Sequence, residues 1–211
     1  SVAIHLHALM IAPGLGLEFP KDLVVVQNTT GGTFGYKFSP TMEALVGVAV
    51  MATGRPCHLR YNYEQQQNYT GKRSPFWLRG TLGCDAEGKL LAMEASWECD
   101  HGPYSEFGDL VTLRGVQFIG AGYQLDSVRG HGKTVCTNHA WGSAFRGYGS
   151  PQAFLASETA MDMLAEKILF SEVHPGEIVV VDLGVDRDES GCDRQLVHAD
   201  GRWEVVSLAC F

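Results

Sequence analysis

Alternation of apolar and polar residues marks several stretches of the chain, and this period of two predicts β-strands. The clearest pair is residues 77–84 and 90–99, which flank the segment 85–88, a turn with the glycine that hairpin loops need. Four further strands are predicted, the one at residues 57–61 by its alternation and the others by shorter runs. These lie at residues 22–26, 57–61, 177–183 and 202–211.

Helices are predicted at residues 2–11, from Pro40 to about Gly54, and at residues 152–167. In the second helix Ser39 is the expected N-cap and Pro40 takes the first helical position. Its expected apolar stripe consists of Met42, Leu45, Val46, Ala49 and Val50. The mixture of strands and helices predicts an α+β (mixed α/β) fold, and the chain shows no repeat or low-complexity linker.

Charge and hydropathy exclude several classes of partner. The net charge of the 211 residues is −8, and the 16 Lys and Arg residues are scattered among 24 acids, so we expect no nucleic-acid partner. The longest apolar runs are too short for a membrane span and the N-terminus has no basic segment, so no membrane anchor or signal peptide is expected. The six cysteines form no Cys-x-x-Cys pair. This spacing favours separate reduced thiols and a cytoplasmic location, with the periplasm left open.

Two glycine-rich segments, residues 31–38 and 144–152, carry the candidate chemistry. Each combines glycine with aromatic residues, and in the second Arg146 offers a guanidinium that can hold an oxyanion or a phosphate. No stretch of the chain matches a nucleotide-binding loop. Gly14 and Gly16 lack the third glycine of a dinucleotide fingerprint, and Gly132-Lys133-Thr134 closes no phosphate-binding loop, because Ser127 stands where that loop needs its first glycine. No Gly-x-Ser-x-Gly elbow occurs either. NAD, ATP and serine-hydrolase chemistry are therefore disfavoured.

With five other collinear segments, these loops resemble the molybdenum hydroxylases, the xanthine dehydrogenase and aldehyde oxidoreductase family, and are most similar to the bacterial aldehyde oxidoreductases. The five segments are residues 4–7, 11–16, 52–56, 70–75 and 100–104. The resemblance runs from Ser1 to about Lys167 and implies a partial molybdenum cofactor-binding domain. Residues 168–211 are expected to form a hairpin-like tail without family resemblance, with an acidic turn at 186–193 and weak packing on the rest.

The resemblance also implies roles for particular residues. Residues expected beside the molybdenum-molybdopterin cofactor are Gly32, Phe34, Gly35, Ala144, Phe145 and Arg146. Residues expected to line the substrate channel are Phe38, Phe107, Leu110 and Tyr148. The two loops should therefore converge, with Phe34 near Arg146. No side chain of this chain is expected to bind the metal directly, and the glutamate that acts as the family's catalytic base is expected outside the chain.

The reaction implied is hydroxylation of a small aldehyde to a carboxylic acid, with water as the oxygen source. Purine-hydroxylating relatives carry a glutamate where this chain has Phe38, so an apolar aldehyde is favoured over a heterocycle. The resemblance further implies the cytosine dinucleotide form of the cofactor, iron–sulfur clusters in other domains or subunits, and a homodimeric complete enzyme.

Two alternatives stay open: a purine hydroxylase or carbon monoxide dehydrogenase relative, and a truncated or chimeric chain without catalysis. For Glu106 and Asp100, solvated or capping roles are expected. His5 and His7 are interpreted as core or surface histidines.

Overall fold

The computed structural model describes residues 3–104, 106–120 and 122–184, and in addition two strands at residues 194–199 and 202–207. It is a mixed α/β structure, as predicted. The chain divides into two compact units. The first contains residues 1–74, 101–108 and 136–146, and the second contains the remainder.

The first unit carries three helices, the first glycine-rich segment and residues 144–146 of the second. The helices are α1 (Ile4–Gly14), α2 (Glu43–Thr53) and α3 (Tyr63–Tyr69). The predicted helix at 2–11 corresponds to α1, in which His7 is buried and His5 is exposed. A short 3-10 turn at Tyr36–Phe38 follows the first glycine-rich loop.

Helix α2 begins three residues later than predicted, at Glu43. The side chain of Glu43 binds the backbone N–H groups that come just before the helix. Its carboxylate accepts hydrogen bonds from the backbone N–H groups of Thr41 and Met42, at 2.7 and 3.0 Å. Ser39 is not the N-cap; its hydroxyl instead donates to Glu106. The helix ends as predicted, at Gly54 in the left-handed conformation (φ 63°).

The predicted apolar stripe of α2 is not buried, since no residue of this helix falls in the buried class and Leu45 is 55% exposed. The predicted strands at 22–26 and 57–61 are also wrong, because both segments are irregular. Val24 and Val26 are 80% and 83% exposed. The valines of the first segment and the alternation of the second are typical of a strand. A strand needs a partner for its backbone polar groups, however, and these segments pair with none of the described strands.

The second unit is built on a four-stranded sheet. Strands β1 (Phe76–Asp85), β2 (Leu90–Asp100), β3 (Ser127–Val135) and β4 (Ile178–Leu183) lie in the order β3-β2-β1-β4. The β1–β2 pair is the predicted hairpin, closed by the N–H of Gly88 donating to the carbonyl of Asp85 at 3.0 Å. Strand β3 pairs with β2 in parallel.

Two helices complete this unit: α4 (Gly108–Phe118), which connects β2 to β3, and α5 (Ser150–Phe170), which was predicted at 152–167. Helix α5 packs on β1 and β4. The core between them combines bulky sheet residues with small residues of the helix, among them Leu82, Trp97, Ala156 and Ala160. Alanines at 153, 156 and 160 let the helix approach the sheet closely.

The chain after α5 corrects one prediction. Strands were expected at 177–183 and 202–211, and they form as β4 and β6 (Arg202–Ser207), but they do not pair with each other. Strand β4 pairs antiparallel with β1, and β6 pairs with β5 (Arg194–Ala199). Val179 and Val181 are 3% and 7% exposed, so the expected weak packing is wrong for β4. The predicted acidic turn at 186–193 lies outside the described residues.

Burial of β4 gives a testable stability prediction. Val179→Ala removes two buried carbon atoms from the core and should lower the free energy of unfolding by about 2 kcal/mol. Val128→Ala makes the same change at a position on β3 that is 48% exposed, and should cost about 0.5 kcal/mol or less. Urea denaturation of the two variants checks this. Equal losses would show that β4 does not belong to the core.

Candidate functional site

The first glycine-rich loop passes directly over the backbone of the second. Gly35 has φ 102°, and a Cβ atom at this position would lie 2.8 Å from the carbonyl carbon and oxygen of Ala144 and from Cα of Phe145. Only glycine fits both the backbone angle and the space. The preceding residue, Phe34, also adopts a positive φ of 51°, which is rare for an aromatic side chain.

The predicted convergence of the two loops is confirmed. The guanidinium of Arg146 lies over the ring of Phe34, 4.9 Å from its centroid, a distance typical of a cation–π contact. Phe34 is 52% exposed and Arg146 is exposed, whereas Ala144 is buried. The loops therefore meet through buried backbone and present a guanidinium and an aromatic face to the outside.

Arg73 belongs to the same group, although the sequence reasoning gave it no role. Its guanidinium donates to the carbonyl of Arg146 at 2.6 Å and lies 4.7 Å from the centroid of the Phe145 ring. The neighbouring backbone is tied to the second loop as well, since the N–H of Lys72 donates to the carbonyl of Trp141 at 2.9 Å. The only signal in the sequence was that Arg73 lies within one of the segments that carry the family resemblance.

The charge of the two guanidiniums is available to a ligand. Among the described residues, no carboxylate lies within 4.0 Å of the guanidinium of Arg73 or Arg146. Two such charges in a chain with a net charge of −8 favour an anionic group at this loop. Across the same described part of the chain, no three His, Cys, Asp or Glu side chains are grouped to hold a metal ion.

The four predicted channel residues are divided between the two units. Phe38, 43% exposed, and the half-buried Phe107 belong to the first unit. Leu110, 53% exposed, and Tyr148 belong to the second. Tyr148 has a φ of 52°, a strained angle of the kind that clusters at functional sites. The channel itself stays a prediction.

Two acidic side chains were expected to be solvated or to act as caps. Asp100 is 1% exposed, so a solvated role is wrong for it, because it ends the buried strand β2. Glu106 is half-buried and accepts a hydrogen bond from the hydroxyl of Ser39. Burial raises the pKa of Glu106 above its ordinary value, while the hydrogen bond from Ser39 and the nearby His7 oppose that rise.

The residues fit an anionic cofactor that approaches the loop backbone closely. Glycine at positions 31, 32 and 35 leaves residues 31–35 without side chains except at Thr33 and Phe34. Gly31 and Gly32 are exposed, and a Cβ atom at Gly32 would meet only the Phe34 ring. This open backbone, together with the guanidinium charges of Arg73 and Arg146, is what a phosphate-bearing group with polar ring edges requires.

The family model of the molybdopterin cofactor-binding domain matches residues 1–174, so the chain belongs to that family. A second model, that of the ATP phosphoribosyltransferase subunit HisZ C-terminal domain, matches residues 174–206.

The individual relatives are much longer proteins. The chain is 68% identical over 168 residues to the aldehyde oxidoreductase of Megalodesulfovibrio gigas, covering 80% of this chain and 18% of that protein. The crystal structure of the aldehyde oxidoreductase from Desulfovibrio desulfuricans superposes with a TM-score of 0.76 at 76% identity, over 81% of this chain and 19% of that one. Quinoline 2-oxidoreductase from Pseudomonas putida 86 gives a TM-score of 0.59 at 27% identity, over 67% of this chain and 18% of that one.

The contact between the loops predicts a large cost for adding one methyl group. Gly35→Ala would place Cβ against the Ala144 carbonyl and should lower the free energy of unfolding by about 3 kcal/mol. Gly54→Ala is the matched control, because it also has a positive φ but nothing lies within 4 Å of its Cβ position. It should cost about 1 kcal/mol. Urea denaturation measures both, and similar losses would contradict close contact between the loops.

Proposed function

We propose that this chain binds the molybdenum-molybdopterin cofactor in a molybdenum hydroxylase, and that the complete enzyme oxidises aldehydes to carboxylic acids with water. The observation that carries the proposal is the junction of Gly35 and Phe34 with Ala144 and Arg146. It supports one cofactor-binding edge formed by two segments that lie more than 100 residues apart in the sequence. The high identity to aldehyde oxidoreductases supports the choice of reaction.

Each group at this edge has a distinct role in the proposal. When bound, the cofactor supplies a Lewis-acidic metal and an acceptor for the electrons of the substrate. Arg146 provides positive charge for oxygen atoms that carry negative charge during turnover. Arg73 holds the carbonyl of Arg146, and Gly35 keeps the two loops in contact, so both fix where that charge lies.

Phe38 supports an aldehyde rather than a purine as substrate. Its phenyl ring can neither donate nor accept a strong hydrogen bond, so it gives a polar heterocycle no partner. With Phe107, Leu110 and Tyr148 it would form an apolar channel, the usual lining of a small-molecule site. An apolar wall also excludes water from the reacting carbonyl.

The wider assembly follows the same proposal. The cofactor takes its cytosine dinucleotide form, iron–sulfur domains or subunits accept the electrons, and the complete enzyme is a cytoplasmic homodimer. The exposed apolar face of α2, with Leu45 and Met51 55% and 58% exposed, suits a chain that packs against further protein. In the described residues no helix is long and apolar enough to cross a membrane.

Substitution of Phe38 in a complete enzyme that carries this segment tests the substrate assignment. Phe38→Glu places a carboxylate in an apolar channel, where its desolvation is costly. We expect kcat/KM for an aromatic aldehyde to fall at least about tenfold, which corresponds to about 1.4 kcal/mol. Phe38→Leu keeps the wall apolar and should retain most of the activity. Unchanged kinetics for Phe38→Glu would remove Phe38 from the channel.

A second candidate, a chimeric chain without catalysis of its own, is favoured by the match of residues 174–206 to a second family model. The chain also spans only 18% of the aldehyde oxidoreductase that it resembles. We therefore expect the purified chain to retain well under one molybdenum per molecule and to oxidise no aldehyde. Metal analysis and a dye-reduction assay measure the two properties. Stoichiometric molybdenum with aldehyde-dependent dye reduction would contradict this expectation.

A further inference from the structure

A buried imidazole lies beneath the turn that carries Phe38. His7, on α1, is 1% exposed, and its Nε2 lies 2.5 Å from the carbonyl oxygen of Phe38. A carbonyl only accepts hydrogen bonds, so the hydrogen must be on Nε2 of His7. The chemistry of the partner therefore fixes which ring nitrogen carries the proton.

The other ring nitrogen faces a carboxylate. Nδ1 of His7 makes no hydrogen bond within the described part of the chain, and Oε1 of Glu43 lies 3.7 Å from it. Burial alone would raise the pKa of Glu43, but backbone N–H groups, including those of Met42 and Thr41, donate to it and lower its pKa below the ordinary value. Glu43 is thus an anion that attracts a hydrogen toward Nδ1. The closer contact is the one at Nε2, where the Phe38 carbonyl can only accept, so Nε2 must still carry a hydrogen.

The residue after Phe38 is anchored too. Ser39 is 1% exposed and its hydroxyl donates to Glu106. Within the turn, the N–H of Phe38 donates to the carbonyl of Gly35 at 3.0 Å. The backbone of Phe38 is consequently held on both sides while its ring stays 43% exposed.

We propose that His7 is a positioning residue, which fixes the Phe38 carbonyl and thereby sets the direction in which the Phe38 ring faces the substrate. The inference rests on the proposed function for the role of Phe38 in the channel. A histidine that only fills the core would need shape but no donor. A positioning histidine needs the Nε2–H donor, and this difference separates the two roles.

The first test uses the full chain and measures no activity. Nitrogen-15 shifts of the His7 ring should show a protonated Nε2, and amide hydrogen exchange at Phe38 and Ser39 should be slow. His7→Leu keeps apolar bulk without a donor and should speed this exchange at least about tenfold. His7→Gln keeps an N–H donor and should restore slow exchange. His5→Leu, at an exposed position of the same helix, is the control.

The inference requires that Nε2 of His7 donates a hydrogen bond, and two outcomes would overturn it. Protonation of His7 on Nδ1 alone in the unaltered chain would overturn it, even if the leucine variant fails to fold. Equal exchange in the glutamine and leucine variants would also overturn it, because shape alone would then explain the burial of His7.

The second test uses a complete enzyme that carries this segment. His7→Leu should raise KM for a bulky aromatic aldehyde about tenfold and change kcat less than about twofold, because a misdirected Phe38 ring obstructs the channel, as a leucine at this position would not, and leaves the reacting centre unaltered. His7→Gln should restore KM. If Phe38→Glu leaves the kinetics unchanged while the exchange results hold, the channel assignment fails and the anchoring of the turn stands. If the kinetics respond to Phe38 but not to His7, the positioning role fails by itself.

Discussion

The contact on which the candidate site depends is the crossing of Gly35 over the carbonyl of Ala144. Backbone meets backbone there without any intervening side chain, so the separation of the two loops is set by covalent geometry and not by flexible rotamers. A Cβ atom at Gly35 would meet the Ala144 carbonyl and push Phe34 away from Arg146. Phe34 can keep its positive φ because the contacts at the crossing hold the loop in this conformation.

Around this crossing, two arginines and two phenylalanines alternate. Arg146 lies over Phe34 and Arg73 lies over Phe145, while Arg73 also binds the carbonyl of Arg146. Each cation–π contact at an exposed position contributes about 0.5–1 kcal/mol, and the hydrogen bond about 1 kcal/mol. These contributions are small, so the arrangement orients the guanidiniums without neutralising their charge. An anion bound at the loop would stabilise the same arrangement by mass action.

Local patterns predicted the elements whose hydrogen bonds are local. The hairpin of β1 and β2 was predictable because two strand-like runs flank the short turn that ends in Gly88. Helix α5 was predictable from its length and Pro151 near its start. By contrast, β3 has few apolar residues, and it is a strand because β2 offers it a parallel partner. Helix α3 did leave a signal, the reciprocal capping of Asn62 and Gln65, which hydrophobic periodicity does not register.

The site shows the same division between local and long-range information. The resemblance brought Phe34 and Arg146 together correctly, because it carries three-dimensional information that local periodicity lacks. Arg73 and His7 were missed as site neighbours because each forms a hydrogen bond to a backbone carbonyl. Every residue has a carbonyl, so no residue type in the sequence marks the acceptor. Contacts from a side chain to a distant backbone atom are therefore what sequence patterns reveal least.

Strand β4 shows why sheet pairing is weak evidence of common ancestry. It lies within the residues matched by the second family model, yet it pairs with β1 of the molybdopterin-binding part. To pair with an antiparallel sheet edge, a strand needs only free backbone N–H and C=O groups and apolar side chains at alternate positions. In β4 the apolar side chains are those of Val179 and Val181. The hydroxyl of Thr81 also donates a hydrogen bond to the carboxylate of Asp182, which links the side chains of β1 and β4. Physical fit alone therefore accounts for the pairing and the burial of β4.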